Sequence, residues 1–330
     1  MKNIKKALAV LLCLAVIICA FSACSSGGES NTGSDKLNIV CTVFPEYDWV
    51  MQVLGDKAEN AEVTLLLDNG VDLHSYQPTA QDIIKISSCD LFVYVGGESD
   101  AWVADTLNEA KNQNMAVINL MEVLGTLAKE EEVVEGMQAE AEEDAEEAEE
   151  GPEYDEHVWL SLKNAQLFVS KIAVELSKID AENKDAYLAN ADAYSDKLSA
   201  LDDEYSAAVN AASNTTVLFG DRFPFRYLAD DYGLNYYAAF VGCSAETQAS
   251  FETVSFLAGK VDELGLPAVF AIEGTDHSLA QTIINNTSAK NQQLLVLNSM
   301  QSTTSQDAEN GANYLSIMQS NLEVLKQGIA

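Results

Sequence analysis

The sequence predicts an α/β fold of two lobes, each with a mainly parallel sheet flanked by helices, the two joined by one long backbone helix. Three observations carry this. In both halves, short apolar runs that end at turn residues alternate with amphipathic segments, the pattern of parallel strands connected by helical crossovers. Between the halves runs an unbroken helical stripe long enough to cross a domain. The length of 330 residues is also a prior for two domains.

Taken in order, residues 37–43 read as a buried strand and Phe44-Pro45-Glu46-Tyr47 as the turn that closes it. A second strand covers 61–67 and stops at Asp68-Asn69-Gly70, a turn signal. Thr79-Ala80-Gln81-Asp82 is a capping box that starts a helix through about residue 87. Residues 90–95 form a strand closed by Gly96-Gly97, followed by a helix from about 100 and a strand at 116–120. Residues 129–156 break the pattern with fifteen carboxylates and repeated Glu-Ala units. A segment so poor in large apolar side chains cannot offset its chain entropy by burial, so a disordered or loosely helical loop is expected. Order resumes at 154–159.

From Asp180 the chain carries its clearest helix. Tyr187, Ala191, Tyr194, Leu198, Leu201, Tyr205 and Ala208 step by four and three along one face. At 1.5 Å per residue, about 25 to 30 residues span roughly 40 Å, enough for a strut between two lobes. The second half continues with strands at 216–219, 235–240, 268–272 and 294–297. Helices are expected at 249–264, from His277 towards 289, and over about 310–326.

The N-terminus speaks to the compartment. Lys2, Lys5 and Lys6 precede an apolar run from Ala7 to Ala20 that is too short to span a bilayer, which is the layout of a signal peptide over 1–23. Small residues then lead into Cys24, an arrangement that resembles a bacterial lipobox with lipid on Cys24. Residues 24–36 form a polar tether. The expected organisation is therefore signal, tether, an N-terminal lobe over 37–160, a linking region over 161–213 and a C-terminal lobe over 214–330. The expected location is extracytoplasmic, tied to the cell membrane by that lipid. Of six cysteines, Cys41, Cys89 and Cys243 remain in the folded part, with no C-x-x-C pair to mark a structural zinc site. They read as buried structural thiols, with one disulfide open. A net charge of −34 argues against nucleic acid and against an electrostatic hold on anionic lipid, and favours cationic ligands.

The chain has only three histidines, His74, His157 and His277, each in a short segment where a strand gives way to a loop or helix. Imidazole is the commonest metal ligand. In open parallel sheets, ligands bind at the carboxyl ends of the strands, where all three histidines fall. Three imidazoles converging there would make a transition-metal site; three unrelated histidines are the alternative.

At this point the chain resembles the solute-binding proteins of zinc/manganese-type bacterial ABC transporters, over nearly all of its length past the tether. Gly70-Val71-Asp72-Leu73-His74-Ser75-Tyr76-Gln77-Pro78-Thr79 is similar to that family's first ligand motif, with Leu73 in place of proline. Asp155-Glu156-His157-Val158-Trp159-Leu160 is similar to the second, with Glu156 in place of proline. The stretch with Tyr187, Asn190 and Tyr194 resembles the backbone helix. The resemblance implies His74 and His157 as the N-lobe ligands. It places the third family ligand, a His or Glu, five residues before the tyrosine of Tyr227-Leu228-Ala229, where this chain has Arg222. Arginine cannot ligate a cation, so the neighbouring Asp221 is expected to supply the oxygen. The fourth family position, usually a carboxylate, falls on His277, four residues after Glu273. Glu273 and Glu46 are reserve donors.

His74, His157, His277 and Asp221 would form a three-nitrogen, one-oxygen cage suited to Zn²⁺, with Mn²⁺ as the second choice. Binding needs neutral imidazoles, so affinity is expected to fall below about pH 6. The resemblance implies a lipid-anchored, monomeric receptor that hands its ion to a membrane permease and its ATPase, with no enzymatic step. In the acidic loop, dense carboxylates would either collect cations weakly or act as a solvated spacer. Two other readings stay open. One is a surface metallohydrolase, disfavoured by the lack of H-E-x-x-H. The other is an adhesin or a binding protein for a non-metal solute, kept open by Arg222, whose guanidinium would suit an anion.

Overall fold

The computed structural model of the protein describes residues 36–138, 153–244 and 248–330. Strands β1 (Leu37–Cys41), β2 (Ala61–Leu65), β3 (Leu91–Tyr94) and β4 (Ala116–Asn119) form the first sheet, and β5 (Thr216–Phe223), β6 (Asn235–Val241), β7 (Ala268–Ile272) and β8 (Gln293–Leu297) the second. All pairings are parallel. The orders, β2-β1-β3-β4 and β6-β5-β7-β8, are the same topology built twice. Each sheet reverses its winding beside its first strand, so each has a crevice at the carboxyl ends of β1 and β3, or of β5 and β7.

The helices are α1 (Phe44–Leu54), α2 (Ala80–Ser88), α3 (Val103–Asn108), α4 (Leu120–Leu124), α5 (Leu162–Ile179), α6 (Lys184–Ala211), α7 (Arg226–Tyr232), α8 (Phe251–Leu264), α9 (Ser278–Asn286), α10 (Ser305–Glu309) and α11 (Tyr314–Ile329). The long helix α6 has 28 residues and buries Tyr187, Ala191, Tyr194, Leu198, Leu201 and Tyr205 as its stripe predicts. Val209 rather than Ala208 takes the last buried position. Its tyrosines tie distant parts together. Tyr194 donates to Asp48 on α1 (3.3 Å), and Tyr205 donates to the carbonyl of Met318 on α11 (2.6 Å).

Five helices, α1, α4, α5, α7 and α10, go beyond the sequence expectation, and two of them shape the frame of the site. Residues 44–47 begin α1 instead of ending in a turn. Pro45 sits in the first helical turn, where its missing N–H costs nothing. Glu46 reaches back, and its Oε2 accepts from the backbone N–H groups of Thr42 (2.8 Å) and Val43 (3.2 Å). Much of the expected linking region is α5, capped by Ser161 and buried along Ala165, Phe168, Val169, Ile172 and Leu176. The spacing of three and four is helical; α5 packs along α6.

One hydrophobic core runs through both lobes, from Ile39 and Phe92 through Tyr205 to Phe219, Phe270 and Leu322. A smaller core lies on the other face of the second sheet, between Leu218, Val269 and Ala271 and the helices α8 and α9. Alternation along the strands sorts residues between the two: Val217 and Phe219 face one core and Leu218 the other. The flanks of the acidic segment are ordered. Glu130 bridges Tyr154, Glu131 donates its N–H to the carbonyl of Glu153 (2.9 Å), and Gln138 donates to the carbonyl of Ala239 (2.9 Å). Residues 139–152, the expected signal peptide and tether up to residue 35, and Cys24 all lie outside the described residues. No helix among the described residues is long and apolar enough to cross a membrane.

Candidate metal centre

His74 sits in a single 3-10 turn, Leu73–Ser75, on the loop between β2 and α2. Asp72 caps this turn, accepting the His74 N–H (3.0 Å), and Leu73 plugs into the core. The leucine that replaces a motif proline thus serves as an apolar anchor for the turn. The His74 ring has Nδ1 at 2.9 Å from Ser99 Oγ and 3.5 Å from Glu156 Oε2. The loop carrying Ser99 folds tightly over Glu156. Gly97 has φ +85, and a Cβ there would stand 2.2 Å from Glu156 Oε1. The same Oε1 accepts from the Ser99 N–H (2.9 Å), whereas Glu156 Oε2 is buried without a hydrogen-bond partner.

His157 enters from the end of the acidic segment, just before the 3-10 turn Val158–Leu160, and is fully buried. Asp155 Oδ1 accepts its backbone N–H (2.8 Å) and lies 3.0 Å from its Nδ1. A carboxylate on one ring nitrogen sets the tautomer and makes the other nitrogen a better ligand. The two segments bring His74 Nε2 and His157 Nε2 to 3.2 Å. In the tautomers with both protons on Nδ1, the two Nε2 lone pairs would face each other, an arrangement that a cation between them relieves.

The electrostatics of the two rings differ. Burial, reinforced by His157 and only partly opposed by Asp72, pushes the His74 imidazole down to about 3, so it is neutral at physiological pH. Burial also works against a proton on His157, but Asp155 outweighs it and holds that ring above its ordinary value. For Asp72, burial is outweighed by Arg222 and His74, which keep its carboxyl below the usual range.

The structure does not bring the expected C-lobe donors to this pair. The β5 ladder shifts register between Phe219 and Arg222, which turns Asp221 across the crevice towards β7. There Asp221 accepts from Thr275 Oγ1 (3.1 Å) and the Ile272 N–H (3.4 Å). His277, with φ +57 just before α9, has Nε2 at 3.1 Å from the carbonyl of Ile272. Both therefore depart from the sequence expectation, because local loop bonds at the β5/β7 crevice claim their polar atoms. They line a cavity of about 540 Å³ with Asp72, Ser75, Arg222 and Asp276. The reserve donors are also engaged. Glu273 accepts the Ser299 N–H (2.7 Å) and hydroxyl (2.8 Å), and Glu46 caps α1. Arg222 donates to Asp72 across the cleft in an ion pair and to the Ser244 carbonyl (3.2 Å).

A residue that sequence reasoning set aside stands beside the histidines. Ligand atoms of His74, His157 and Cys243 all lie within 4.8 Å of one another, the grouping that among the described residues could hold a metal ion. Spacing gave no warning of this, because Cys243 follows β6 with no histidine or second cysteine nearby in the chain. With its amide nitrogen turned to Asp72, Gln301 donates to both carboxylate oxygens (3.0 Å each), and its carbonyl oxygen stands 3.3 Å from His157 Nε2.

Two sheets of the same topology, a strut helix packed on helices of both lobes, and nitrogen donors buried at the seam define a two-lobed, cleft-binding protein. The profile of the family described as zinc-uptake complex component A, periplasmic, matches residues 39–328, and the chain belongs to that family. The zinc-binding lipoprotein AdcA of Streptococcus pneumoniae (serotype 4) is 33% identical over 332 residues, covering 99% of this chain and 61% of the relative. This chain therefore spans about three-fifths of that relative's length. The high-affinity zinc uptake system protein ZnuA of Bacillus subtilis is 29% identical over 314 residues, covering 95% of this chain and 94% of that one. Among solved structures, the Zn(II)-bound ZnuA-like domain of Streptococcus pneumoniae AdcA superposes with a TM-score of 0.68 at 30% identity, covering 89% of this chain and 99% of that one. The metal-dependent lipoprotein YcdH of Bacillus subtilis gives 0.70 at 26% identity, with coverage of 89% and 99%.

Proposed function

We propose that this chain is an extracytoplasmic receptor that captures one Zn²⁺ in the cleft, through His74 and His157, and delivers it to an ABC permease driven by its ATPase. The observation that carries the reading is the pair of Nε2 atoms 3.2 Å apart. Two nitrogens on a tetrahedral zinc, each about 2.0–2.1 Å from the ion, stand about 3.3 Å from each other. The rings already have that spacing, and each is held from behind, by Asp155 or by Ser99. Nitrogen donors favour zinc over manganese, which prefers carboxylate and carbonyl oxygen. The names of the relatives, a zinc-binding lipoprotein and a zinc uptake protein, support the same cargo.

The ion is cargo, and binding and release require no catalysed step. The lobes run from residue 37 to 160 and from 214 to 330, with 161–213 between them, and the chain acts as a monomer. Lipid on Cys24 of the processed chain holds it at the outer face of the membrane. The experiment is a zinc titration of the chelator-stripped full chain. One ion per chain is expected, together with its loss in the His74→Ala/His157→Ala double variant. A chain that takes up no zinc, or a double variant that binds it as tightly, overturns the reading.

A further inference from the structure

We propose that Cys243 is the third protein ligand of this centre, so that the ion is held by two imidazoles and a thiolate, with the C-lobe contributing sulfur instead of the expected nitrogen and oxygen. The inference rests on the reading of His74 and His157 as the zinc pair and adds the residue that closes the site from the other lobe.

Three features place the sulfur there. The ligand atoms of His74, His157 and Cys243 lie within 4.8 Å of one another, although their segments are far apart in sequence. A tetrahedral centre with Zn–S of about 2.3 Å and Zn–N of about 2.05 Å puts sulfur and nitrogen about 3.6 Å apart, within that range. The chain leaving β6 also runs directly against the His157 ring. A Cβ on Gly242 would stand 3.1 Å from both Cε1 and Nδ1 of that ring, so a side chain there would press on the imidazole and push Cys243 away. Finally, Cys243 is held from both sides. Its backbone N–H donates to Glu131 Oε1 (3.0 Å), and the next carbonyl, of Ser244, accepts from Arg222 (3.2 Å). Among the described residues, Cys243 is in no disulfide.

Arg222 completes the picture. It occupies the position where the resemblance puts a third ligand, but its guanidinium spans from Asp72, the cap of the His74 turn, to the backbone beside Cys243. The β5 end of the C-lobe thus clamps the site, and the β6 end supplies the donor. On binding, the thiol proton leaves to solvent as the metal–sulfur bond forms, and the imidazoles donate lone pairs without losing protons. Three protein ligands leave a fourth position for a water or another oxygen.

Cobalt(II) alone, added to the reduced, metal-free full chain, tests this. A thiolate on cobalt adds a sulfur-to-metal charge-transfer band in the near ultraviolet, which nitrogen and oxygen donors do not produce. The wild-type chain is expected to show this band at one cobalt per chain. Cys243→Ser is expected to lose the band, keep visible ligand-field absorption from the histidine pair, and bind zinc weaker by more than about 100-fold, the upper end of what a second-shell loss costs. One cobalt per chain without the band overturns the thiolate while leaving the histidine pair standing. A band that persists in Cys243→Ser overturns it as well. No uptake of cobalt or zinc at all removes the parent reading.

Discussion

The two faces of the cleft are built from the same sheet topology yet prepare their polar side chains in opposite ways. On the N-lobe face, His74 and His157 are each gripped through the backbone and through Nδ1, which leaves both Nε2 atoms directed into one space. On the C-lobe face, Asp221 and His277 spend their polar atoms on the β5/β7 crevice, and Arg222 reaches across to Asp72. A strand end offers a position, but the loop that follows decides whether the side chain is free for a ligand. One face is organised to grip, the other to clamp.

Replacing the clamp gives the largest expected effect among the tests of this contrast. Arg222→Gln removes the guanidinium from Asp72 and loosens the turn that holds His74, so zinc affinity is expected to fall about 10-fold with one site retained. Competition against a chromogenic chelator measures this, and unchanged affinity would mean that Arg222 is only a surface charge.

The next test separates a carboxylate of the frame from those of the site. Burial, with a smaller contribution from Asp100, pushes the Glu46 carboxyl up to about 8 from an ordinary 4.5. A raised folded-state value means that the protonated acid fits the fold. Its contribution is whole below about 4.5 and is lost as pH rises through about 8. Urea unfolding is therefore expected to show wild-type stability lower at pH 9 than at pH 5. Glu46→Gln, which cannot ionise, should recover at least about 1 kcal/mol of that difference. Zinc affinity should not follow the substitution. If it collapses, Glu46 is a ligand and the frame has been misread.

The smallest effect belongs to His277. Its ring is occupied with the Ile272 carbonyl, so His277→Ala should change zinc affinity by about twofold or less, the size of an ordinary surface substitution. Loss of binding in isothermal titration would return His277 to the ligand set and erase the asymmetry between the faces.

Much of this protein is legible in its sequence, for local reasons. The strand and helix periods, the Thr79–Asp82 capping box and the buried stripe of α6 follow from interactions between residues a few positions apart. The same holds for His74 and His157, whose motifs include their own caps, Asp72 and Asp155. The helix at 44–54 was obscured because Pro45 reads as a breaker unless it is placed in the first turn. Helix α5 lacked a motif to announce it, although its apolar spacing is helical.

What the sequence determined by itself, then, is the two-lobed α/β architecture and the local setting of His74 and His157, one half of the proposed centre, where donor and support are neighbours in the chain. Only the tertiary structure decided the other half. The capture of Asp221 by the β7 end and the approach of Cys243 to His157 and His74 join segments between roughly 50 and 170 residues apart, whereas the bond from His277 to Ile272 stays within the loop that follows β7. No local period encodes contacts of that kind, because they form only when the sheets and the strut helix bring distant loops to one seam.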